Sequence, residues 1–595
     1  MIKKMTKYSF VVFHREVEAF LQKLQEIGVV DVTRQKRAID SYSMEKFEEI
    51  AKYNAAASAL KRIKDEAVKA KQEIPDGKPS CTDLLAHYTN MAAQKEQLKG
   101  KLAALKAEYA DALPWGAFTG ENFEALEKLS LVPYFYSVSA QKYNKEWETL
   151  CPIHILNEYN GKIYFAAIME EGTKPSLPLP DSTFPTISAD ILEQQIEECE
   201  AQAAEANNQL LALTNCVEDL EAQKEELFSN LDLYLANGAS VKKADNTIVI
   251  FEAFAPTEID SQVTAFLEEN NVYYLKEDAK EEDNPPIKLK NNFFAKLYEP
   301  IGELYMLPKY GELDLTMFYA PFYMLFFGFC LGDMGYGLIL ILAGLFVNFK
   351  VKAFANYGKL IAWLGLGTVI MPALSGTIFG AKLYEIVPLP QNITEFFFND
   401  MQMFWFAILF GIFQIVIARF IQSIYNFTKK NYRVALNALG WGLSIAWATL
   451  AYASSEAGFS YPSWVNYIGF AALALIVLCG SDAKNPIVRI VKGTFTLYDS
   501  TSVFGDVLSY IRLFGLATSG GILGFVINSI SMTLGEVPYV GWLLMVIMLI
   551  VGHTFVMLLS SLGAFVHPLR LTFIEFYKNA GFEGGGRAYN PLKKK

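Results

Sequence analysis

The chain has 595 residues, is 52% apolar and 14% aromatic, and carries a formal charge of -11. It is too long for one domain and too apolar for an ordinary soluble one; the acidic excess sits in the first half and long apolar runs fill the second. No basic stretch interleaved with aromatics occurs, which argues against nucleic acid as a partner. The cysteines, Cys81, Cys151, Cys199, Cys216, Cys330 and Cys479, lack paired spacing, which points to a reducing compartment without a disulfide framework. No apolar run near the N-terminus is long enough for a signal peptide, so that end is expected in the cytoplasm.

Residues 1 to about 42 read as strand, helix and strand: Tyr8–Phe13, Glu16–Ile27 and Gly28–Thr33. The pattern returns at Thr247–Phe251, Glu258–Glu269 and Val272–Leu275. Between the two lie long polar helices, about 44–113 and 189–235, with a break at Ile74–Ser80. Leu84, Tyr88, Met91, Lys95, Leu98, Leu102, Leu105 and Tyr109 alternate spacings of four and three. So do Leu192, Ile196, Cys199, Ala203, Ala206, Leu210, Leu213, Val217, Leu220, Lys224, Leu227 and Leu231. Sustained heptads of this kind predict a coiled-coil seam, here an antiparallel hairpin. Residues 114–186, with strands at Tyr134–Ser139 and Gly161–Ile168, read as a distal head; Gly172–Pro180 and Lys276–Pro286 read as linkers.

The membrane half begins after Tyr310. Eight spans are expected, at roughly 315–332, 335–349, 358–379, 401–421, 435–453, 464–480, 505–531 and 541–568. The connections after the second, fourth and sixth carry Lys350, Lys352 and Lys359; Arg419, Lys429, Lys430 and Arg433; and Lys484, Arg489 and Lys492. The opposite connections hold only Lys382 among basic residues, beside Asp333, Glu385, Glu395, Asp400, Glu456 and Glu536. By the positive-inside rule both termini are expected in the cytoplasm. Asn392-Ile-Thr394 matches a glycosylation acceptor pattern that is common by chance.

The last two apolar helices each contain an arginine, Arg512 and Arg570, without an acid in the same apolar run to neutralise it. Charge inside a bilayer costs a few kcal/mol on insertion scales, so an intramembrane arginine is a functional candidate by default. At about 1.5 Å per residue Arg512 lies about 9 Å past Asp506, and antiparallel packing would bring both arginines to one depth. Ser509, Gly515 and Ser519 share the Arg512 face and would let another helix approach closely. The competing reading is that both arginines snorkel to the headgroups. Gln414, His553, Ser560 and Ser561 lie in apolar helices and either line a water-filled path or bond a neighbouring helix. No P-loop motif occurs, the five histidines lack metal-ligand spacing, and neither a cofactor nor a metal is expected.

The chain resembles the membrane subunit of V-type and A-type rotary ATPases, subunit a, called subunit I in bacterial complexes. The resemblance rests on Leu24-Gln-Glu-Ile-Gly-Val-Val, Met306-Leu-Pro-Lys-Tyr-Gly-Glu-Leu-Asp314-Leu-Thr316, Phe326-Phe-Gly-Phe-Cys-Leu-Gly-Asp333-Met-Gly-Tyr-Gly337, the two arginine helices, and Glu583-Gly-Gly-Gly-Arg-Ala-Tyr-Asn-Pro591. It implies a stator without an ATP site of its own. Its partners would be a rotor ring of small subunits bearing a membrane carboxylate, peripheral stalk subunits, a central stalk adaptor and membrane lipid. The essential arginine of the family maps onto Arg512 and its second arginine onto Arg570. In this reading Arg512 stabilises the bare ring carboxylate and separates two offset half-channels. Their candidate lining is Gln414, Ser502, Asp506, Ser560, Ser561, His567 and Glu575. Organellar members carry a histidine where this chain has Gly520 and a glutamate where it has Ser560, which puts the non-cytoplasmic lining in question.

The expected fold is mixed. Residues 1–310 form a cytoplasmic antiparallel coiled-coil arm with two small α/β heads. Residues 311–595 form an all-α membrane domain of eight helices whose last pair, 505–531 and 541–577, is long and tilted. The compact membrane half and short external connections favour a prokaryotic plasma membrane. Rival readings are a secondary transporter with a regulatory coiled coil, which would need paired repeats that are not evident, and a structural membrane tether.

Overall fold

The computed structural model describes residues 1–34, 37–72, 74–75, 77, 83–116, 118, 123, 126, 128–243, 247–351, 354–388, 390, 394–481 and 485–594. Asn392 of the acceptor pattern, Lys352, Lys484 and Cys81 lie outside the described residues. The chain forms two compact units. One comprises Met1–Val12, Val29–Val32 and Ile250–Pro591; the other comprises Phe13–Gly28, Thr33–Val249 and Leu592–Lys595.

The second unit is built on four long helices, Ser41–Lys69, Leu84–Ala112, Ala189–Leu213 and Val217–Gly238. The first starts three residues before the expected Met44 because Asp40 caps it, accepting from the Ser43 backbone N–H at 2.8 Å. Leu84 clusters with Leu210 and Leu213, and Leu105 and Ala112 with Ala189 and Leu192, so these helices run antiparallel. Ile50 likewise meets Leu231 and Leu235 near the far end of the partner helix. The heptad positions Leu192, Cys199, Ala206, Leu210, Leu213, Val217, Leu220 and Leu231 are the buried ones. The distal strands form an antiparallel sheet in the order Leu131–Ser139, Lys162–Glu170, Ile153–Tyr159. Its hairpin turns at Asn160 and Gly161, both at positive φ, as a tight two-residue turn requires. The strand Ile153–Tyr159 escaped the sequence reading because it is mostly exposed and lacks alternation.

In the first unit the two strand-helix-strand patterns share one sheet, in the order Asp31–Val32, Ile248–Pro256, Met5–Phe13, Tyr273–Asp278. Tyr8, Phe10, Phe251 and Phe254 are buried in it. Asp260 accepts from Tyr8 Oη at 2.7 Å and Thr6 Oγ1 at 3.1 Å and pairs with Lys276 at 2.8 Å. Burial pushes its carboxyl up, but Lys276 and the two hydroxyls hold it below the ordinary carboxylate value.

Among the described residues, five helices of this unit are long and apolar enough to cross a membrane: Ala355–Leu374, Asp400–Thr428, Tyr432–Glu456, Ile487–Gly535 and Gly541–Ala580. Every stretch read as a span is helical at its core, but Thr316–Leu331, Met334–Lys350 and Trp464–Cys479 have only 16, 17 and 16 residues. That is short of the roughly 20 that a span needs. The stretch read to residue 379 stops being regular helix at Ile370, ahead of Pro372 and a left-handed Gly376, and Thr377–Ile378 then pairs with Ala381–Lys382. The segment expected to start at 505 is helical from Pro486 onward. Close approach depends on glycine here. A Cβ on Gly328 would lie 2.1 Å from the Gly367 carbonyl oxygen, and one on Gly344 2.6 Å from that of Gly358.

Three of the quoted motifs act as joints. The C-terminal stretch lies along 306–312: Glu583 N–H donates to Glu312 at 2.8 Å, Lys309 pairs with Glu583 at 2.7 Å, and Leu307 bridges Gly586. Farther on, Asn590 N–H donates to Asp31 at 2.9 Å. Asp333, 1% exposed, caps helix Met334–Lys350 by accepting from Gly335 N–H at 2.8 Å. It also accepts from Phe379 N–H at 2.8 Å and Gly380 N–H at 2.7 Å, tying the small hairpin to that helix.

Candidate functional site

The two arginine helices are the least covered of the long apolar ones. Only 17% of the most apolar stretch of Ile487–Gly535 and 11% of that of Gly541–Ala580 is buried, against 33–44% in the other three. On the Arg512 face a Cβ added at Gly515 would meet nothing within 4 Å, and Ser519 is exposed while Ser509 is half-buried. Phe555, Leu558 and Leu562 on the second helix are each more than 60% exposed. The small-residue face is therefore open along both helices.

Arg512 is half-buried, and its Nη1 is buried with no hydrogen-bond partner among the described residues. His567 lies within electrostatic reach of both Arg512 and Arg570, and Arg570 is exposed. Beside Arg512, fully buried Tyr510 donates to Gln414 Oε1 at 2.7 Å, and Gln414 Nε2 has no hydrogen-bond partner among the described residues. A buried guanidinium nitrogen left without a partner in an apolar setting favours an anion placed against it.

About 9 Å away along the first helix, a polar cluster surrounds Asp506. Lys578 Nζ is 3.1 Å from both Asp506 oxygens and donates to Ser502 at 2.7 Å. Asn579 Nδ2 donates to Asp506 at 2.9 Å and to the Glu575 carbonyl at 2.7 Å. Glu575 is buried, within reach of Ser509, Arg570 and Asp506, and its Oε2 has no hydrogen-bond partner among the described residues; the same holds for Asn579 Oδ1 and Thr572 Oγ1. The second helix passes through this cluster as a π-helical stretch, Leu571–Phe576, just after Pro568. Such bulges reset which residues face inward and recur at functional sites.

In the other direction, about 24 Å from Arg512 at helical rise, lies a second polar group. His553 Nδ1 is 2.8 Å from Tyr336 Oη and its Nε2 2.9 Å from Asn528 Oδ1, while Asn528 donates to the Phe379 carbonyl at 2.7 Å. Nearby a cavity of about 240 Å³ opens among Ser375, Lys382, Glu385 and Asp400 and runs along Phe514, Ala517, Thr518 and Gly521. It reaches one turn beyond Arg512.

Of the expected site residues, Ser502, Asp506 and Glu575 gather at one end, Gln414 meets Tyr510, and His567 is within electrostatic reach of both arginines. Ser560 faces Gly520: a Cβ there would lie 3.3 Å from Ser560 Oγ. Ser561 is half-buried. Lys578, Asn579, Thr572, Tyr510, Asn528 and Tyr336 were missed. Lys578 was within reach of the sequence, because it follows Arg570 by eight residues as Asp506 precedes Arg512 by six, which antiparallel helices bring level.

Residues 188–363 match the V-type ATPase 116kDa subunit family. The chain is 28% identical over 535 residues to the A-type ATP synthase subunit I of Methanocaldococcus jannaschii, covering 83% of this chain and 74% of that one. It is 23% identical over 631 residues to the V-type ATP synthase subunit I of Borreliella burgdorferi, covering all of both. A third relative, the A-type ATP synthase subunit I of Pyrococcus abyssi, is 31% identical over 339 residues, 55% of this chain and 50% of that one. With its long apolar helices, the chain is a multi-pass membrane protein similar to the subunit I proteins of V-type and A-type ATP synthases, and part of it matches the V-type ATPase 116kDa subunit family.

Proposed function

We propose that the chain is the non-catalytic stator of a rotary V/A-type ATPase, with Arg512 facing a carboxylate on each passing subunit of a rotor ring. The observation that carries this reading is the guanidinium nitrogen of Arg512, buried without a partner beside an open small-residue face. A ring carboxylate brought against that face supplies the missing anion. Desolvation makes the attraction stronger than in water, so the carboxylate gives up its ion on arrival.

The two polar zones on either side of Arg512 then serve as offset half-channels. The Asp506–Lys578–Glu575 cluster, with its unpartnered buried oxygens, opens to the cytoplasm; the cavity past Phe514, rimmed by Glu385 and Asp400, opens to the other side. Arg512 and His567 block a direct path between them, so an ion crosses only by riding the ring. Each elementary charge crossing 100 mV supplies about 2.3 kcal/mol to rotation. In this reading eight helices span the plasma membrane with both termini in the cytoplasm, residues 1–310 form the cytoplasmic arm, and its long helices hold peripheral stalks.

The test is proximity. A cysteine at Ser519 is expected to cross-link to a cysteine placed one turn from the ring carboxylate in the assembled complex, whereas one at the buried Gly524 is not. Equal cross-linking from both positions, or none from Ser519, would turn the helix the wrong way for this function.

A further inference from the structure

Beside the N-terminal part of the first arginine helix, two cavities of the membrane half share a wall. The larger, about 720 Å³, is a trough between helices Asp400–Thr428, Tyr432–Ala457 and Ser500–Ser509, walled by Ile412, Trp441, Trp447, Ala448 and Val503. The smaller, about 310 Å³, is polar and is lined by Arg419, Gln422, Asn437, Thr496 and Asp499. Trp441, 8% exposed, belongs to both linings, so the polar pocket and the apolar trough meet at that ring.

Arg419 sits in the pocket with an incomplete set of partners. One of its terminal nitrogens donates to Gln422 Oε1 at 3.2 Å, and its Nε is buried with no partner among the described residues. Two acids act on Arg419: Asp506, which Lys578 and Asn579 already engage, and Asp499, which lines the pocket and is exposed, so water screens it. Exposed Arg433 and Lys492 flank the pocket lining in sequence, and Arg489 reaches the Leu478 carbonyl beside Cys479, another lining residue. The surroundings therefore favour an anion on Arg419, while the adjoining trough is walled mainly by apolar and aromatic side chains, with Ser444, Thr449, Ser500 and Glu456 among them. A free phosphate would satisfy the first and leave the second empty; a molecule with an anionic head and acyl tails satisfies both.

We propose that the joined cavities hold one anionic phospholipid drawn from the bilayer, its phosphate on Arg419 and its acyl chains along Trp441 and Trp447. Bound there, it fills the cleft between these helices and keeps them in register.

The tryptophans lining the trough report on it. The full-length chain, reconstituted in phosphatidylcholine vesicles, is titrated with brominated phosphatidylglycerol or brominated phosphatidylcholine at equal mole fraction, and tryptophan quenching is read. The expected result is an about fivefold preference for the anionic lipid, the worth of one basic residue near an anionic surface. Arg419→Gln abolishes the preference, Arg419→Lys retains most of it, and Ala448→Phe, which fills the trough, abolishes it with Arg419 intact. If Arg419→Gln is not recovered folded, Ala448→Phe decides alone. Equal quenching by both lipids in the wild type, a preference that survives Ala448→Phe, or relief of quenching by excess inorganic phosphate would each overturn the proposal, the last by assigning the pocket to a free anion.

Discussion

Replacing Asp333 by alanine removes one carboxylate and strands several backbone donors. Three bonds of 2.7–2.8 Å are lost, from Gly335, Phe379 and Gly380, besides a longer one of 3.3 Å from Tyr336. At ~1–2 kcal/mol for each buried donor left unpaired, the three short bonds sum to ~3–6 kcal/mol. Asparagine should cost far less. Its oxygen can take the place of Oδ1, which serves Gly335, Tyr336 and Phe379, leaving only the Oδ2 bond from Gly380 broken. The assay is thermal denaturation of the detergent-solubilised chain, followed by fluorescence-detected size exclusion, for wild type, Asp333→Asn and Asp333→Ala. The predicted order of midpoints is wild type, Asn, Ala, with the Asn variant nearer wild type. An alanine variant as stable as wild type, or an asparagine variant as damaged as alanine, would show that the carboxylate does not hold the hairpin to its helix.

Gly520→Cys with Ser560→Cys should form a disulfide under mild oxidant, since the Cβ positions lie 4.0 Å apart, inside the usual range; mass spectrometry of the linked peptides checks the pairing of the two arginine helices. Gly586→Ala would place a Cβ 1.9 Å from the Pro308 carbonyl oxygen and should lower the melting midpoint, at a cost of ~1–3 kcal/mol. Gly515→Ala, with open space around it, should leave that midpoint unchanged. Glu258 is held at about 2 by hydrogen bonds from Lys3 and Lys290. A depressed carboxylate stabilises the fold above its unfolded value near 4.5 and loses that contribution as pH falls toward 2. Glu258→Gln should therefore lower stability at neutral pH, converge on the wild type near pH 2, and so flatten the acid limb measured between those values.

Much of this was legible in the residues, for identifiable reasons. The heptads announced the long helices of the second unit because burial there follows one stripe, as Leu210, Leu213 and Leu220 demonstrate. Apolar length announced the membrane helices, yet not where they stop: the end at Ile370 follows from Pro372 and Gly376, and the hairpin beyond it is held by Asp333, 46 residues earlier in the chain. The sequence pattern marked both arginines, and antiparallel geometry predicted a common level for them. What stayed hidden were polar partners supplied from far along the chain. Tyr510 meets Gln414 across 96 residues, and Tyr336 meets His553 across 217. No local spacing encodes such pairs. The motifs 306–316 and 583–591 were recognised as a family signature before any physical role was visible; their contact with each other supplies that role.

The most direct measurement is ATP-driven ion uptake by membrane vesicles carrying the whole complex, wild type against Arg512→Gln, with subunit content determined on the same vesicles. Loss of uptake with a normal complement of subunits is the predicted result, because the ring carboxylate then has no cation to discharge against. Undiminished uptake by a fully assembled Arg512→Gln complex would remove Arg512 from the ion path and leave it as a residue that reaches for the headgroups.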